Sequence, residues 1–429
     1  MQSDYTKAAI LSGQRDGILS LSFSARAKFI AATGYAGVSI WDVAKRQSIP
    51  TPPLPSLLSN KHVYTRSQWL YFEQSNLHVL VLGSKRGDVT LWRWCPDEAA
   101  FLFYMSDRHS PHSAEVLSID ILRRSVPCEE RGRVAVSMGD NHITVWMVDD
   151  VAHKMRQRFS VEVETPGFCP KTVKFQALSR TLIAFSERGG LMARFDYDTG
   201  KHTGRRRDGP SVMASIATDP VQSVFAAYTG TTFEIMSLNK KERINGFQSE
   251  VPDVRLPMAI AFGEGGTVLL AGTDKGHAML YNVTDGSILR RFKYPKGGLV
   301  QQVVTCTTKD RYYVAYAGSS IHQSADVVLY TKARLEMNQK PQQSLGQHRL
   351  GKTPYWRRLV LAVWRMIYWA GVLLLLLSAY EVVKLPGLLR ENEACRSFIS
   401  GPHVSVPDRS IDILDKLPLP YATGIQAAY

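Results

Sequence analysis

Residues 10–43, ILSGQRDGILSLSFSARAKFIAATGYAGVSIWDV, decide how the chain is read. Residues 18–24 (ILSLSFS) alternate apolar and polar, as in a strand with one buried face. Residues 29–33 (FIAAT) give a second strand and residues 38–42 (VSIWD) a third, with a short Gly-containing turn between them. Such a unit leaves an apolar sheet face that it cannot cover alone, so further copies must follow.

They follow along most of the chain. Third-strand positions recur at Trp41, Trp92, Trp146, Phe195, Ile235, Tyr281 and Tyr330, at intervals of roughly 40 to 54 residues. Residues 134–150 (VAVSMGDNHITVWMVDD) repeat the first unit best, and residues 267–286 (TVLLAGTDKGHAMLYNVTDG) restore its spacing. Seven units are counted; six or eight would require unit five or unit seven to be misread.

The repeat resembles that of the WD-repeat family. Gly13-Gln14 stands where that family writes Gly-His, and Trp41-Asp42 is the dipeptide that names it. The resemblance covers roughly residues 5–337 and implies an all-β, seven-bladed propeller of WD-repeat type. It also implies a buried tetrad of His, Ser or Thr, Asp and Trp, for which unit three offers His112, Ser137, Asp140 and Trp146. Unit one has Gln14 in place of the His and no Asp in its turn, and units four, five and seven lack the Trp. Buried polar groups need partners, so apolar packing is expected to replace the tetrad in the diverged blades. In the family an N-terminal strand completes the last blade and removes the open edges. Here residues 7–11 would lie beside residues 326–330; the alternative is a free N-terminal tail.

The bulk composition agrees with this reading. The chain has 429 residues, above the usual single-domain length, but large all-β folds reach it. Hydrophobic residues make up 45% and charged residues 21%, which excludes wholesale disorder. The formal net charge of +14 favours acidic partners such as anionic membranes or acidic proteins. Five scattered cysteines without a C-x-x-C pair support neither a disulfide framework nor a zinc site. The first residues lack the apolar core of a signal peptide, so the propeller is expected in the cytosol.

Beyond the repeats the composition changes. The domain reading is a propeller over 1–337, a basic polar linker over 338–358, a transmembrane helix over 359–385 and a short extracytosolic tail over 386–429. Residues 359–380 carry one charge, Arg365, and as a helix would run about 33 Å, enough to cross a bilayer core. Leu359 and Leu374 lie in this greasy run, while Trp364, Trp369 and Tyr380 stand near its ends like an aromatic belt. The competing reading is a hydrophobic helix docked on the propeller or lying in the interface. Six basic and no acidic residues between Lys340 and Arg365 place the N-terminal side in the cytosol. The protein is therefore expected to be single-pass and integral to an endomembrane. The endoplasmic reticulum is favoured because the uncharged core is short.

Reactive chemistry is sparse. Residues 263–266 (GEGG) imitate a phosphate loop but sit at a strand–strand turn with no helix following, so the turn is preferred. His109 and His112 could imitate a metal pair without a third ligand. No catalytic, cofactor or metal site is predicted, no cofactor is expected, and the chain is not read as an enzyme. Basic clusters at Arg205, Arg206, Arg207, at Lys240, Lys241, Arg243 and at Arg290, Arg291, Lys293 read as solvated rims or as contacts to phosphoinositides and other anionic lipid. Three functions follow. The first is a membrane-tethered scaffold binding protein partners at the cytosolic face of an endomembrane. The second is a guanine-nucleotide exchange factor for a small GTPase. A cytosolic propeller with one span resembles the layout of the exchange factor that launches COPII coats, but the Gly-rich loop of that family is not visible in residues 31–38. The third is a lipid-binding propeller. Partners are thus unknown proteins and the membrane; nucleic acid is not expected.

Overall fold

The second strand of each repeat is apolar at nearly every position, which is the pattern of a sheet covered on both faces. In Thr181–Ser186, Leu182 and Ala184 face one neighbouring blade while Ile183 and Phe185 face the other. In Phe29–Gly34, Phe29 and Ala31 split from Ile30 and Ala32 in the same way. Successive side chains of a strand point to opposite faces, so a blade with this pattern must be sandwiched.

The computed structural model describes residues 4–54, 62–106, 114–219, 221–254 and 256–334. These form seven sheets in a closed ring, each built on four antiparallel strands. Blade one comprises Ile18–Phe23, Phe29–Gly34, Gly37–Asp42 and Gln47–Ile49. The other six repeat this order, and the third strand of each holds the residue that marks its repeat: Trp41, Trp92, Trp146, Phe195, Ile235, Tyr281 and Tyr330. The first strands of consecutive blades contact one another around the ring, including blade seven back to blade one. The apolar interior is divided accordingly into seven seams, one between each pair of neighbours. The seven-bladed propeller is compatible with the WD-repeat type. Of the domain boundaries expected from sequence, the linker, the helix and the tail lie outside the described residues, as do Leu359, Trp364, Trp369, Leu374 and Tyr380. Among the described residues no helix is long and apolar enough to cross a membrane.

Closure is made by the N-terminus. Thr6–Gln14 runs antiparallel to Ala325–Ala333, with Lys7 opposite Tyr330 and Leu11 opposite Val327. The strand is anchored on both sides. Tyr5 packs edge-on against Phe292 of blade six at 5.8 Å, and Arg290 of that blade holds the Asp4 carboxylate at 2.7 Å and the Tyr5 carbonyl at 2.5 Å. At its other end Gln14, buried, donates to the Ala32 carbonyl at 3.0 Å, and Trp41 donates its indole N–H to the Ser12 carbonyl at 3.2 Å. One segment thus ties blades six, seven and one together.

Blade two carries an addition that the repeat pattern does not contain. The connection between the first two strands of blade three, residues 122–131, folds back so that Ser125–Val126 adds a parallel fifth strand beside Tyr64–Phe72. The residues 263–266 form a tight turn, Glu264–Gly266, with Gly265 and Gly266 at φ 70° and 87°. The left-handed φ of Gly266 favours glycine, and a side chain there would also meet the Asp219 carboxylate at 2.0 Å.

The seam between blades one and two buries an ionisable group. His78 is 4% exposed and lies between Phe29, at 5.2 Å, and Tyr71, at 4.6 Å. Burial, with Lys28 and Arg26 nearby, pushes its pKa down to about 4. The unfolded chain takes up this proton near pH 6.5 while the folded chain refuses it until about 4, so stability is lost as pH falls through that window. The loss is roughly 3 kcal/mol. His78→Phe should flatten this part of the pH profile in denaturant titrations; profiles of equal slope for the two proteins would contradict the assignment.

Candidate functional site

The first strands line a central channel of about 370 Å³. Its polar residues mostly stitch neighbouring blades. Ser67 meets the hydroxyls of Ser20 and Ser22 at 3.2 and 2.8 Å, Thr65 donates to the Val116 carbonyl at 2.7 Å, and the Val173 N–H reaches the Ser118 hydroxyl at 3.2 Å. The channel cations are engaged too. Arg66 donates Nε to the Leu117 carbonyl at 2.6 Å, and burial lowers its pKa while Glu115 opposes the shift. Lys174 pairs with Asp120 at 2.9 Å. These contacts zip neighbouring blades together along the channel.

The tetrad positions of unit three are divided. Ser137 lies on Gly132–Met138 and Trp146 on His142–Asp149, and both are buried. Ser137 Oγ and Trp146 Nε1 have no hydrogen-bond partner among the described residues. Asp140 accepts the His142 N–H at 3.3 Å, and His112 lies outside the described residues. Blade two repeats the series with His62, Ser84, Asp88 and Trp92, which the repeat reading overlooked. Ser84 donates to Asp88 at 3.1 Å, the Asp88 N–H returns to the Ser84 hydroxyl at 3.0 Å, and Trp92 is 2% exposed. The available signal was a His placed just before the first strand of the blade, Tyr64–Phe72. The Ser84–Asp88 pair orders the turn of blade two, while His62 Nδ1 has no hydrogen-bond partner among the described residues.

The basic clusters split by environment. Arg206 is 8% exposed: its guanidinium binds both Asp208 carboxylate oxygens, at 2.9 and 2.5 Å, and the carbonyls of Ser237, Leu238 and Lys240 in blade five. It is a strut between blades and offers nothing to a ligand. Arg290 is likewise engaged by the closing strand. Arg205, Arg207, Lys240, Lys241, Arg291 and Lys293 remain exposed, with Arg291 3.8 Å from Glu250 and Arg243 3.9 Å from Glu234. In the run Arg205–Arg207 only the middle residue is buried, which three like charges in the sequence do not reveal.

Antiparallel blades send the connections between strands one and two, and three and four, to one face of the disc. On that face three apolar residues stand in water on consecutive blades: Val151, 72% exposed, Leu178, 90%, and Val221, 88%. Beside Val151 lies a cationic groove formed by Lys154–Glu162 and the 122–131 connection. The sequence signal for it, Lys154-x-Arg156-x-Arg158, puts alternate cations on one side of a strand. On the opposite face, residues 31–38 are a hairpin with Gly34 paired to Gly37. Among the described residues no group of three or more His, Cys, Asp or Glu could hold a metal ion.

No model of a known protein family matches the chain, and no curated protein does so either.

The environment of Arg206 gives a direct test. Arg206→Ala should cost about 3 kcal/mol in unfolding free energy by stranding Asp208 and three carbonyls. Arg205→Ala and Arg207→Ala should stay within about 0.5 kcal/mol of the parent. Equal, small effects of all three would return Arg206 to the surface cluster.

Proposed function

We propose that the protein is a scaffold that binds protein partners through its propeller and is held at the cytosolic face of an endomembrane by residues 359–385. The propeller fold suggests an interaction scaffold, and the observation that carries the reading is the exposure of Val151, Leu178 and Val221 on connections of three consecutive blades. Large apolar side chains at 72%, 90% and 88% exposure on consecutive blades leave apolar area in water, which a partner would cover. Tethering is supported by the sequence alone: 22 residues with one charge, flanked by cations on the propeller side. The endoplasmic reticulum is the favoured membrane because the uncharged core is short. No specific observation favours nucleotide exchange or lipid binding over this reading.

The proposal is tested with the full-length chain in cells, cross-linked and then fractionated in alkaline carbonate. The wild type should remain in the membrane pellet with a cross-linked partner. Leu178→Asp combined with Val221→Asp should stay in the pellet and lose the partner by about ten-fold, with an unchanged melting temperature. Release of the wild type into the carbonate supernatant would remove the tether, and undiminished cross-linking of the double variant would remove this face.

A further inference from the structure

The groove beside Val151 is built from two adjoining cavities of about 460 and 280 Å³ that share Arg131 and Met147. Six cations line it, Arg123, Arg131, Arg133, Lys154, Arg156 and Arg158, against three carboxylates, Glu129, Glu130 and Asp149. Two of those carboxylates already have partners. Arg123 holds Glu130 at 2.8 Å, and Arg131 holds Asp149 at 2.8 Å. Asp149 is further bound by the Ala152 N–H, and these two contacts keep its carboxyl below the usual range. Just outside, Asp198 is shared by Arg133 and Arg180, whose guanidinium carbons lie 5.0 and 5.7 Å from the centre of the Tyr197 ring.

That leaves an excess of positive charge on Lys154–Glu162. Lys154 and Arg156 have no carboxylate within ion-pair distance among the described residues, and Arg158 is bonded only through Nε, to the Asp198 backbone carbonyl at 2.9 Å. The register skips Arg158: Val145 faces Phe159 and Trp146 faces Gln157. This bulge turns Gln157 and Arg158 into the groove together with Arg156.

We propose that this groove binds an extended acidic segment of a protein partner. The inference rests on the scaffold reading and names the partner's chemistry. Three features select a peptide. The site is concave, so a flat bilayer cannot enter it. Its cations are interleaved with Glu129, Glu130 and Asp149, which repel an unbroken polyanion such as nucleic acid but tolerate spaced carboxylates. Met147 and Tyr197 in the wall offer apolar contact between the charges.

The test uses the purified full-length chain and a fluorescein-labelled twelve-residue peptide in which glutamates alternate with serine around one leucine. Anisotropy should show binding that weakens as salt rises. Lys154→Glu combined with Arg156→Glu should weaken it about ten-fold. Arg205→Glu combined with Arg207→Glu should stay within about two-fold, since those residues lie outside the groove. The same peptide with lysine for glutamate should not bind. Binding by the Lys154, Arg156 variant equal to wild type, or preference of the groove for single-stranded RNA or phosphatidylserine vesicles over the peptide, overturns the proposal. Partner cross-linking separates the two readings. A partner retained by the Lys154, Arg156 variant leaves the scaffold standing and removes the groove, whereas no partner for the wild type removes the scaffold while the peptide measurement still decides the groove.

Discussion

A sheet that is apolar on both faces needs two neighbours, and only a closed ring supplies two to every blade. This constraint explains the rest of the architecture. It makes the second strands continuous in hydrophobicity, and it divides the interior into seven seams in place of one core. It also makes the ring depend on its last joint. Thr6–Gln14 completes the sheet that ends in Ala325–Ala333, so two segments from opposite ends of the propeller share one blade. Tyr5 enters the seam of blades six and seven, and Leu11 that of blades seven and one. Without that strand two seams would lose side chains and an edge would open to solvent.

The demands of closure separate polar groups that build from polar groups that bind. Channel hydroxyls, Arg66, Arg206, Arg290 and Gln14 all answer donors and acceptors of a neighbouring blade. Desolvated polar atoms cost stability unless paired, so these positions are settled by the fold. Other groups on the face of the strand one–two and three–four connections are not used in this way. There Val151, Leu178 and Val221 leave apolar surface in water, and Lys154 and Arg156 leave charge uncompensated.

Periodicity made the blades legible. All seven third-strand positions lie in third strands, and residues 7–11 do pair beside residues 326–330. Side-chain environment was not legible in the same way. Arg205, Arg206 and Arg207 are alike in the sequence, but Arg206 finds its acceptors in blade five, more than thirty residues away. Arg290 is engaged by Asp4 and Tyr5, nearly the whole propeller apart in the chain. The series His62, Ser84, Asp88, Trp92 was visible, with the His just before the first strand of blade two. The added strand Ser125–Val126 carries no repeat signal at all, because it belongs to a connection of blade three and pairs in blade two.

Hydrogen exchange on the full-length chain tests ring closure most directly. Closure predicts that the Thr6–Gln14 amides bonded to Ala325–Ala333 exchange as slowly as those of Val327 and Leu329, since both strands open only with the whole seventh blade. Exchange of the 6–14 segment at the rate of a free peptide, with Val327 and Leu329 still protected, would contradict it.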